Sequence, residues 1–188
     1  MGFILRYTGV LWFFAVAEFA LMAALELFLF RRNSGGRPSL DVRSTFSADD
    51  VSQWLAALGP QGAETILVWH YLTFDLLFPA LFGGAILCSM VIMGRRLARF
   101  LAMPNWVQIV FAAVIVAPYV YFDYAQNWAV VKLLRAPFTA DVLAVSSASS
   151  LNFLKWVSLA LPVVVIALLA LAGQKFERSG LKRGKHDE

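Results

Sequence analysis

Polar side chains recur at helical spacing inside the apolar segments of this sequence. In the stretch YFDYAQNW, residues 121–128, an Asp and an Asn stand four residues apart, and Tyr119, just before this stretch, precedes the Asp by four. Residues three or four apart share one face of a helix, so each group presents its polar atoms in one direction. The groups that form the predicted ligand-binding or proton-relay site are Tyr71 with Asp75, Tyr119 with Asp123 and Asn127, and Asn152 with Lys155 and Ser158.

The charges inside these segments do not balance. Lys155 is their only cation, whereas Asp75, Asp123, Glu18 and Glu26 are all acids. An Asp or a Lys at the centre of a membrane helix costs about 2.5 to 3.5 kcal/mol, so each must face the bundle interior, a partner or water. One lysine cannot match four acids, and the sequence therefore predicts a hydrated pocket in preference to a dry salt bridge.

Glu18, Glu26 and His70 are further candidates, each with an alternative structural role. His70 stands between Trp69 and Tyr71 near the end of an apolar segment, a position typical of an interfacial residue. Glu26 is close enough to the end of its segment to extend its carboxylate to the membrane surface. Glu18 falls near the middle of the first segment.

The elements that must position these side chains are membrane-spanning helices. Of the 188 residues, 60% are hydrophobic and 15% are charged. A helix needs about 20 apolar residues to cross a bilayer, and four runs reach that length, at 7–30, 66–93, 106–131 and 151–173. The sequence predicts an all-α integral membrane protein, a four-transmembrane-helix bundle. We expect one domain over residues 1–188, because the loops and tails are too short to bury a core of their own.

The loop between the first two spans, residues 31–65, contains a predicted short helix. Ser47 is the expected N-cap, Asp50 completes a capping box, and Gly59-Pro60 ends the helix. Its apolar residues follow the i, i+3, i+4, i+7 pattern and are Val51, Trp54, Leu55 and Leu58. This pattern predicts an amphipathic helix over 47–58 that lies on the membrane surface or over the mouth of the bundle, as a spacer or as a lid.

The candidates of spans two, three and four lie in the same half of the predicted membrane. At about 1.5 Å per residue, Asp75 and Asp123 lie roughly 12 to 13 Å from the helix ends that meet loops one and three, and Lys155 about 6 Å. Those two loops share one side in either orientation. We therefore expect Asp75, Asp123, Asn127, Asn152 and Lys155 to converge whichever way the protein is inserted.

Basic residues in the flanks predict the orientation. Arg95, Arg96 and Arg99 occupy the short second loop and the C-terminal tail, 174–188, is basic, although Arg31 and Arg32 follow the first span. We expect an integral protein of the bacterial inner membrane with both termini in the cytoplasm. The net charge of +4 is explained by cationic flanks beside anionic lipid, without nucleic acid as a partner.

Proline interrupts spans two, three and four, at Pro79, Pro118 and Pro162. Each proline removes a backbone hydrogen bond and frees the carbonyl four residues earlier, which for Pro79 is the carbonyl of Asp75. Just beyond Pro79, the pair Gly83-Gly84 permits a neighbouring helix to approach closely. We expect irregular backbone at this depth to line the pocket.

Several chemistries have no support in the sequence. Cys88 is the single cysteine, which excludes a dithiol mechanism within one chain. The sequence has no HExxH, no CxxC and no glycine-rich phosphate loop, so we expect no metal and no cofactor.

Three functions remain open. The first is binding or transport of a small polar or lipid-headgroup ligand, with proton linkage through Asp75 and Asp123. The second is an intramembrane enzyme that applies carboxyl acid/base chemistry to an amphiphilic substrate, with Lys155 stabilising negative charge. The third is an accessory subunit of a membrane complex. The expected partners are the lipid bilayer, a small-molecule or lipid ligand and, for a transporter of only four spans, a homo-oligomer.

Overall fold

Helices form the framework of the computed structural model, which describes residues 6–136 and 141–184, with side chains described as far as Gln174. Their bounds are Thr8–Asn33 for α1, Ala48–Gly94 for α2, Ala98–Leu101 for α3, Asn105–Arg135 for α4 and Val142–Gly184 for α5. A 3-10 turn, Leu40–Val42, lies in the loop between α1 and α2. The basic side chains of the predicted tail, 174–188, lie outside the described residues.

Four of the described helices, α1, α2, α4 and α5, are long and apolar enough to cross a membrane. The prediction of an all-α protein with four helices of membrane length is therefore confirmed. The helices extend beyond the predicted apolar spans, because polar residues outside those spans also favour the start of a helix. At the start of α5, for example, the Leu143 amide donates to Asp141 Oδ1 at 3.2 Å, well before the predicted start at residue 151.

The long helices pack unequally. Helix α4 packs extensively along α5, and α2 packs against α1, α4 and α5, whereas α1 has little contact with α5. A Cβ atom at Gly83 would lie 2.6 Å from Val120 Cγ2, so glycine lets α2 and α4 approach closely, as the sequence predicts. The neighbouring Gly84 has more room, with Leu11 Cδ1 3.8 Å from such an atom.

Helix α2 begins where the sequence predicts the short loop helix. The Asp50 amide donates to Ser47 Oγ at 3.1 Å and the Ser47 amide donates to Asp50 Oδ2 at 2.8 Å, which completes the capping box. Gly59 interrupts the helical geometry with φ 61°, but helix resumes at once because Pro60 is well tolerated in a first turn. A sharp kink at Gly59 thus separates the first part of α2 from the part that continues into the second span, at the position where the sequence predicts that the short helix ends.

The apolar face of this first part of α2 is buried in protein. Val51, Trp54, Leu55 and Leu58 belong to a core cluster at the loop-one end of the bundle. This cluster also contains Phe30 and Leu40, together with side chains of α4 and α5. The segment therefore packs over the end of the bundle and fixes the loop that precedes it.

Two stretches of π-helix lie at this same end, Glu26–Phe30 in α1 and Leu67–Phe74 in α2. The Arg31 amide bonds to the Glu26 carbonyl and the Asp75 amide bonds to the His70 carbonyl, each five residues back. Residues five apart in an α-helix point about 140° away from each other. The wider π turn brings them to one side, and His70 Nε2 lies 4.0 Å from Asp75 Oδ2.

Candidate functional site

Five buried titratable side chains meet near the loop-one end of the bundle. They come from the 3-10 turn and three helices, and are Asp41, His70 and Asp75, Asp123, and Lys155. None is more than 8% exposed. We call these five residues the polar cluster. Four of them are candidates from the sequence, and Asp41 is not.

Asp41 is the centre of the polar cluster. Its Oδ2 atom lies 2.6 Å from His70 Nε2, and its Oδ1 atom lies 3.8 Å from Lys155 Nζ. The Gln126 side chain donates a hydrogen bond to the same carboxylate. Lys155 Nζ also lies 3.2 Å from Asp123 Oδ1 and donates to Gln126 Oε1 at 3.3 Å. The loop thus contributes a carboxylate that connects α2, α4 and α5.

The charge state of Asp41 depends on these neighbours. Burial is the largest single influence and raises the pKa of this carboxyl, but the positive charge of Lys155, the contact with His70 and the hydrogen bond with Tyr71 together outweigh it. The pKa of Asp41 therefore lies well below its usual range. The neighbours of Asp41 therefore favour its ionised form.

Asp41 is not predicted from the sequence, because a polar residue in a polar loop gives no sign that it is buried. Leu40, which is fully buried beside it, is the single local signal in that direction. Gln126 and Ser39 are missed as well. Gln126 is adjacent to the predicted Asn127 in the chain and therefore points in a different direction from the helix, yet it is also fully buried.

Two amide side chains hold the backbone around the polar cluster. Asn127 Nδ2 donates to the Asp75 carbonyl at 3.0 Å, which is the carbonyl that Pro79 is predicted to free. Asn152 donates to the carbonyls of Leu40, at 3.4 Å, and of Arg43. Asn152 therefore ties α5 to the loop that carries Asp41, and Asn127 ties α4 to α2.

The other sequence candidates occupy varied positions. Tyr119 is buried and lines the cavity at the polar cluster, and Tyr71 is buried with its ring centroid 4.7 Å from that of His70. Ser158 is half-buried and donates to the Lys155 carbonyl at 2.9 Å, within its own helix. Glu18 is half-buried on α1 and is not among the residues that line the cavity.

Two interpretations of the sequence are wrong. His70 is not an interfacial residue, since it is 5% exposed and bonded to Asp41. Glu26 does not extend to the membrane surface. It is 7% exposed, accepts a hydrogen bond from the Ser39 amide at 3.0 Å, and pairs with Arg31 Nε at 3.2 Å. In both cases the loop between α1 and α2 folds inward and supplies a partner.

A cavity of about 540 Å³ opens from the polar cluster. Its wall is almost entirely apolar away from that end, and includes Trp12, Val16, Phe19, Phe78, Phe82 and Leu159. Three ring contacts join α1 and α2. They are Trp12 with Phe82, Phe19 with Phe78, and Phe30 with His70. The cavity is therefore polar at the loop-one end and apolar along the rest of its length.

The cavity lies between α1 and α5, the two helices with little mutual contact. Its lining includes Phe19 and Leu27 from α1 and Trp156 from α5, which are 61%, 56% and 44% exposed. Side chains that line a cavity and are also exposed mark its rim. The cavity thus opens on the outer surface of the bundle, at a level where that surface is apolar.

Some buried oxygen atoms at the polar end accept no hydrogen bond from the described residues. They include Asp75 Oδ2, Asn127 Oδ1 and Asn152 Oδ1. Buried acceptors of this kind are uncommon in native proteins and call for a donor or a cation. Asp41, His70 and Asp75 can also offer three ligand atoms that all lie within 4.8 Å of one another.

Protein-family models, curated proteins and solved structures offer no significant match to this chain. A function for the chain therefore has to be inferred from the geometry of the polar cluster and the cavity.

Proposed function

We propose that this protein binds an amphiphilic molecule in the plane of the membrane. The polar head would lie against Asp123 and Lys155, and the hydrocarbon part would fill the cavity between α1 and α5. The observation that supports this most directly is the cavity itself, which is polar at one end and apolar along the rest. Its volume of about 540 Å³ is in the range of small-molecule sites, roughly 300 to 1,000 Å³.

The lateral opening suits a ligand that arrives from the lipid. Phe19, Leu27 and Trp156 at the rim are exposed apolar side chains, so a hydrocarbon chain can pass between α1 and α5 without entering water. Such entry requires a single chain. A transport pathway through four spans would require a second copy, which makes binding the simpler function.

The polar end offers both signs of charge to a head group. Lys155 can donate hydrogen bonds and Asp123 can accept them. Both line the cavity and their charged atoms lie 3.2 Å apart, so one polar group can contact both. Buried charges are costly when no water or partner solvates them. A ligand head group that forms hydrogen bonds with Lys155 and Asp123 would replace that solvation, so it would bind at this end of the cavity.

We also propose a placement in the membrane. The protein would lie in a bacterial inner membrane with both termini in the cytoplasm, because Arg95, Arg96 and Arg99 follow α2. The polar cluster would then lie in the extracytoplasmic half. The amphipathic segment 47–58 would rest at the interface, where it covers the end of the bundle and the loop with Asp41.

The test uses the full chain in a mild detergent and two fluorescent probes with the same alkyl chain, one ending in a carboxylate and one in an amine. Ala23 lines the cavity, and Ala23→Phe would place a ring inside it and obstruct it. We expect at least about tenfold weaker binding of the preferred probe, or roughly 1.4 kcal/mol. The matched control is Leu21→Phe, since Leu21 is exposed on the same helix and does not line the cavity.

The same titration can contradict the proposal. Equal affinity of both variants and the wild type for the probes would show that the cavity is not their binding site. Comparison of the two probes identifies the charge of the preferred head group. Native mass spectrometry of the purified chain then identifies the natural molecule that co-purifies.

An enzyme that acts on the bound amphiphile is the second candidate, because of the Asp41–His70 pair. A carboxylate that holds one imidazole nitrogen leaves the other free to act as a base. His70 Nδ1 has no hydrogen-bond partner among the described residues, and His70 lines the cavity. A long-chain fluorogenic ester tests this candidate. An enzyme would release the fluorophore, and His70→Gln would abolish release while probe binding persists; release no faster than in empty micelles would exclude ester hydrolysis.

A further inference from the structure

We infer that Asp41, His70 and Asp75 form a binding site for a divalent transition-metal ion. The site is distinct in its chemistry from the proposed binding of an amphiphile, and it does not depend on it. It brings together one residue of the loop and two of the π-helical end of the second span. No spacing motif indicates such a set, since the ligands are 29 and five residues apart in the chain.

The ligand atoms have separations close to those of a metal site. Bonds of about 2.0 to 2.2 Å from zinc to nitrogen or carboxylate oxygen place two ligand atoms of a tetrahedral site roughly 3.3 to 3.6 Å apart. Here Asp41 Oδ2 and His70 Nε2 are 2.6 Å apart, and His70 Nε2 and Asp75 Oδ2 are 4.0 Å apart. An ion would replace the hydrogen between Asp41 and His70, and small side-chain shifts would widen the first distance and close the second.

The charge of the polar cluster supports a cation at this position. Lys155 lies closer to Asp123, at 3.2 Å, than to Asp41, at 3.8 Å. If Lys155 neutralises Asp123, two acids, Asp41 and Asp75, remain beside one imidazole. One divalent ion would take up the negative charge of both carboxylates, which is costly in a buried site without a partner.

Asp75 provides an observation independent of the charge count. It is 3% exposed, and its Oδ2 atom accepts no hydrogen bond from the described residues. The oxygen faces His70 Nε2 across 4.0 Å, which is too far for a hydrogen bond and suited to a shared ion. The backbone of Asp75 is held by Asn127 and by the π turn, which keeps the carboxylate near His70 and leaves its side chain able to make a small shift toward an ion.

The donor set indicates the class of metal. Imidazole favours Zn²⁺, Fe²⁺, Ni²⁺ and Cu²⁺, whereas Mg²⁺ and Ca²⁺ prefer oxygen alone. Three protein ligands leave a coordination position for water or another small ligand. Asp41, His70 and Asp75 all line the cavity, so that position can face it.

The test is a titration of the EDTA-stripped full chain in detergent with Zn²⁺ alone, and with Co²⁺ as a spectroscopic probe. We expect one Zn²⁺ per chain, Co²⁺ ligand-field bands that Zn²⁺ abolishes, and a rise in Tm with Zn²⁺ that Mg²⁺ does not produce. These readouts need no variant. A wild-type chain that binds no stoichiometric Zn²⁺ would overturn the inference.

Variants then assign the ligands. His70→Gln and Asp75→Asn should each weaken Zn²⁺ binding by more than the ~10- to 100-fold that loss of an outer-shell partner costs. Glu18→Gln is the matched control, because it makes the same change to a carboxyl on a neighbouring helix outside the site, and it should keep the wild-type Kd. If all three variants bind Zn²⁺ as the wild type does, the ion is bound elsewhere and the assignment is wrong. The amphiphile titrations are done in EDTA, so either proposal can fail without the other.

Discussion

Asp41 and His70 are 29 residues apart in the chain, yet Asp41 Oδ2 lies 2.6 Å from His70 Nε2. This contact draws a loop residue into a cluster otherwise formed by membrane-length helices. Asp41 also connects, through Lys155 and Gln126, to α5 and α4. The loop between α1 and α2 is therefore a structural part of the site and not only a connection.

Asp41→Asn should destabilise the protein by about 1.5 to 3 kcal/mol, the usual value of a buried hydrogen bond to a charged group. The amide keeps the shape of the side chain but removes the negative charge next to Lys155. The measurement is the free energy of unfolding in detergent with EDTA present. Asp49→Asn is the control, since Asp49 is exposed at the start of α2 and should change stability little. Equal stability of both variants would mean that the Asp41 carboxylate does not support the fold.

Asp123 and Lys155 should behave as a coupled pair in a double-mutant cycle. Lys155→Met leaves two carboxylates without their cation and should cost about 3 to 5 kcal/mol. Asp123→Asn should cost less, because Lys155 keeps Asp41 and Gln126 as partners. We expect the double variant to recover about 0.5 to 3 kcal/mol relative to the sum of the single changes. Strict additivity would contradict the pairing, and a stabilising Asp123→Asn would show that Asp123 is retained at a cost to folding, as at functional sites.

The hydrogen bond from Asn127 to the Asp75 carbonyl should depend on Pro79. In the wild type, Asn127→Ala leaves this buried carbonyl without a donor, at a cost of about 1 to 3 kcal/mol. Pro79→Ala restores an amide that can donate to the same carbonyl within α2. Asn127→Ala should therefore cost less in the Pro79→Ala background. The four free energies of unfolding give the coupling, and an equal cost in both backgrounds would show that Pro79 does not create the need for Asn127.

Gly83 and Gly84 form a matched pair for the packing of α2. Gly83→Ala would place a Cβ atom 2.6 Å from Val120 Cγ2, so the Val120 side chain or α4 must shift, and we expect a loss of about 1 to 3 kcal/mol. Gly84→Ala places its Cβ atom 3.8 Å from the nearest side chain, in ordinary contact, and should be neutral or slightly stabilising because alanine favours helix. Thermal unfolding of the two variants side by side measures the difference. A Gly84→Ala variant as unstable as Gly83→Ala would mean that helix approach is not what requires Gly83.

Much of the framework could be predicted from the sequence, because it depends on local properties. The length of each apolar run predicts the four long helices, and Ser47 with Asp50 predicts the start of α2. The spacing of Asp123 and Asn127 places both on one face, and Pro79 identifies the free carbonyl to which Asn127 then donates. Each of these features depends on residues that are near each other in the chain.

The polar cluster required the tertiary structure. Asp41 carries no local sign of burial, and its position depends on Asn152 and on the core that packs over the loop. His70 and Asp75 are five residues apart, which a regular α-helix would place on different faces, and only the π turn brings them together. The cavity exists because α1 has little contact with α5.

The sequence by itself determined the class of protein, the long helices and the polar faces, since hydrophobic length and helical period are set by neighbouring residues. Only the tertiary structure decided which polar side chains meet, where the cavity opens and which loop residue enters the site. The physical reason is that burial of Asp41 and a π turn at His70 cost free energy locally. They persist because contacts with distant segments offset that cost, and such contacts cannot be seen in any short stretch of sequence.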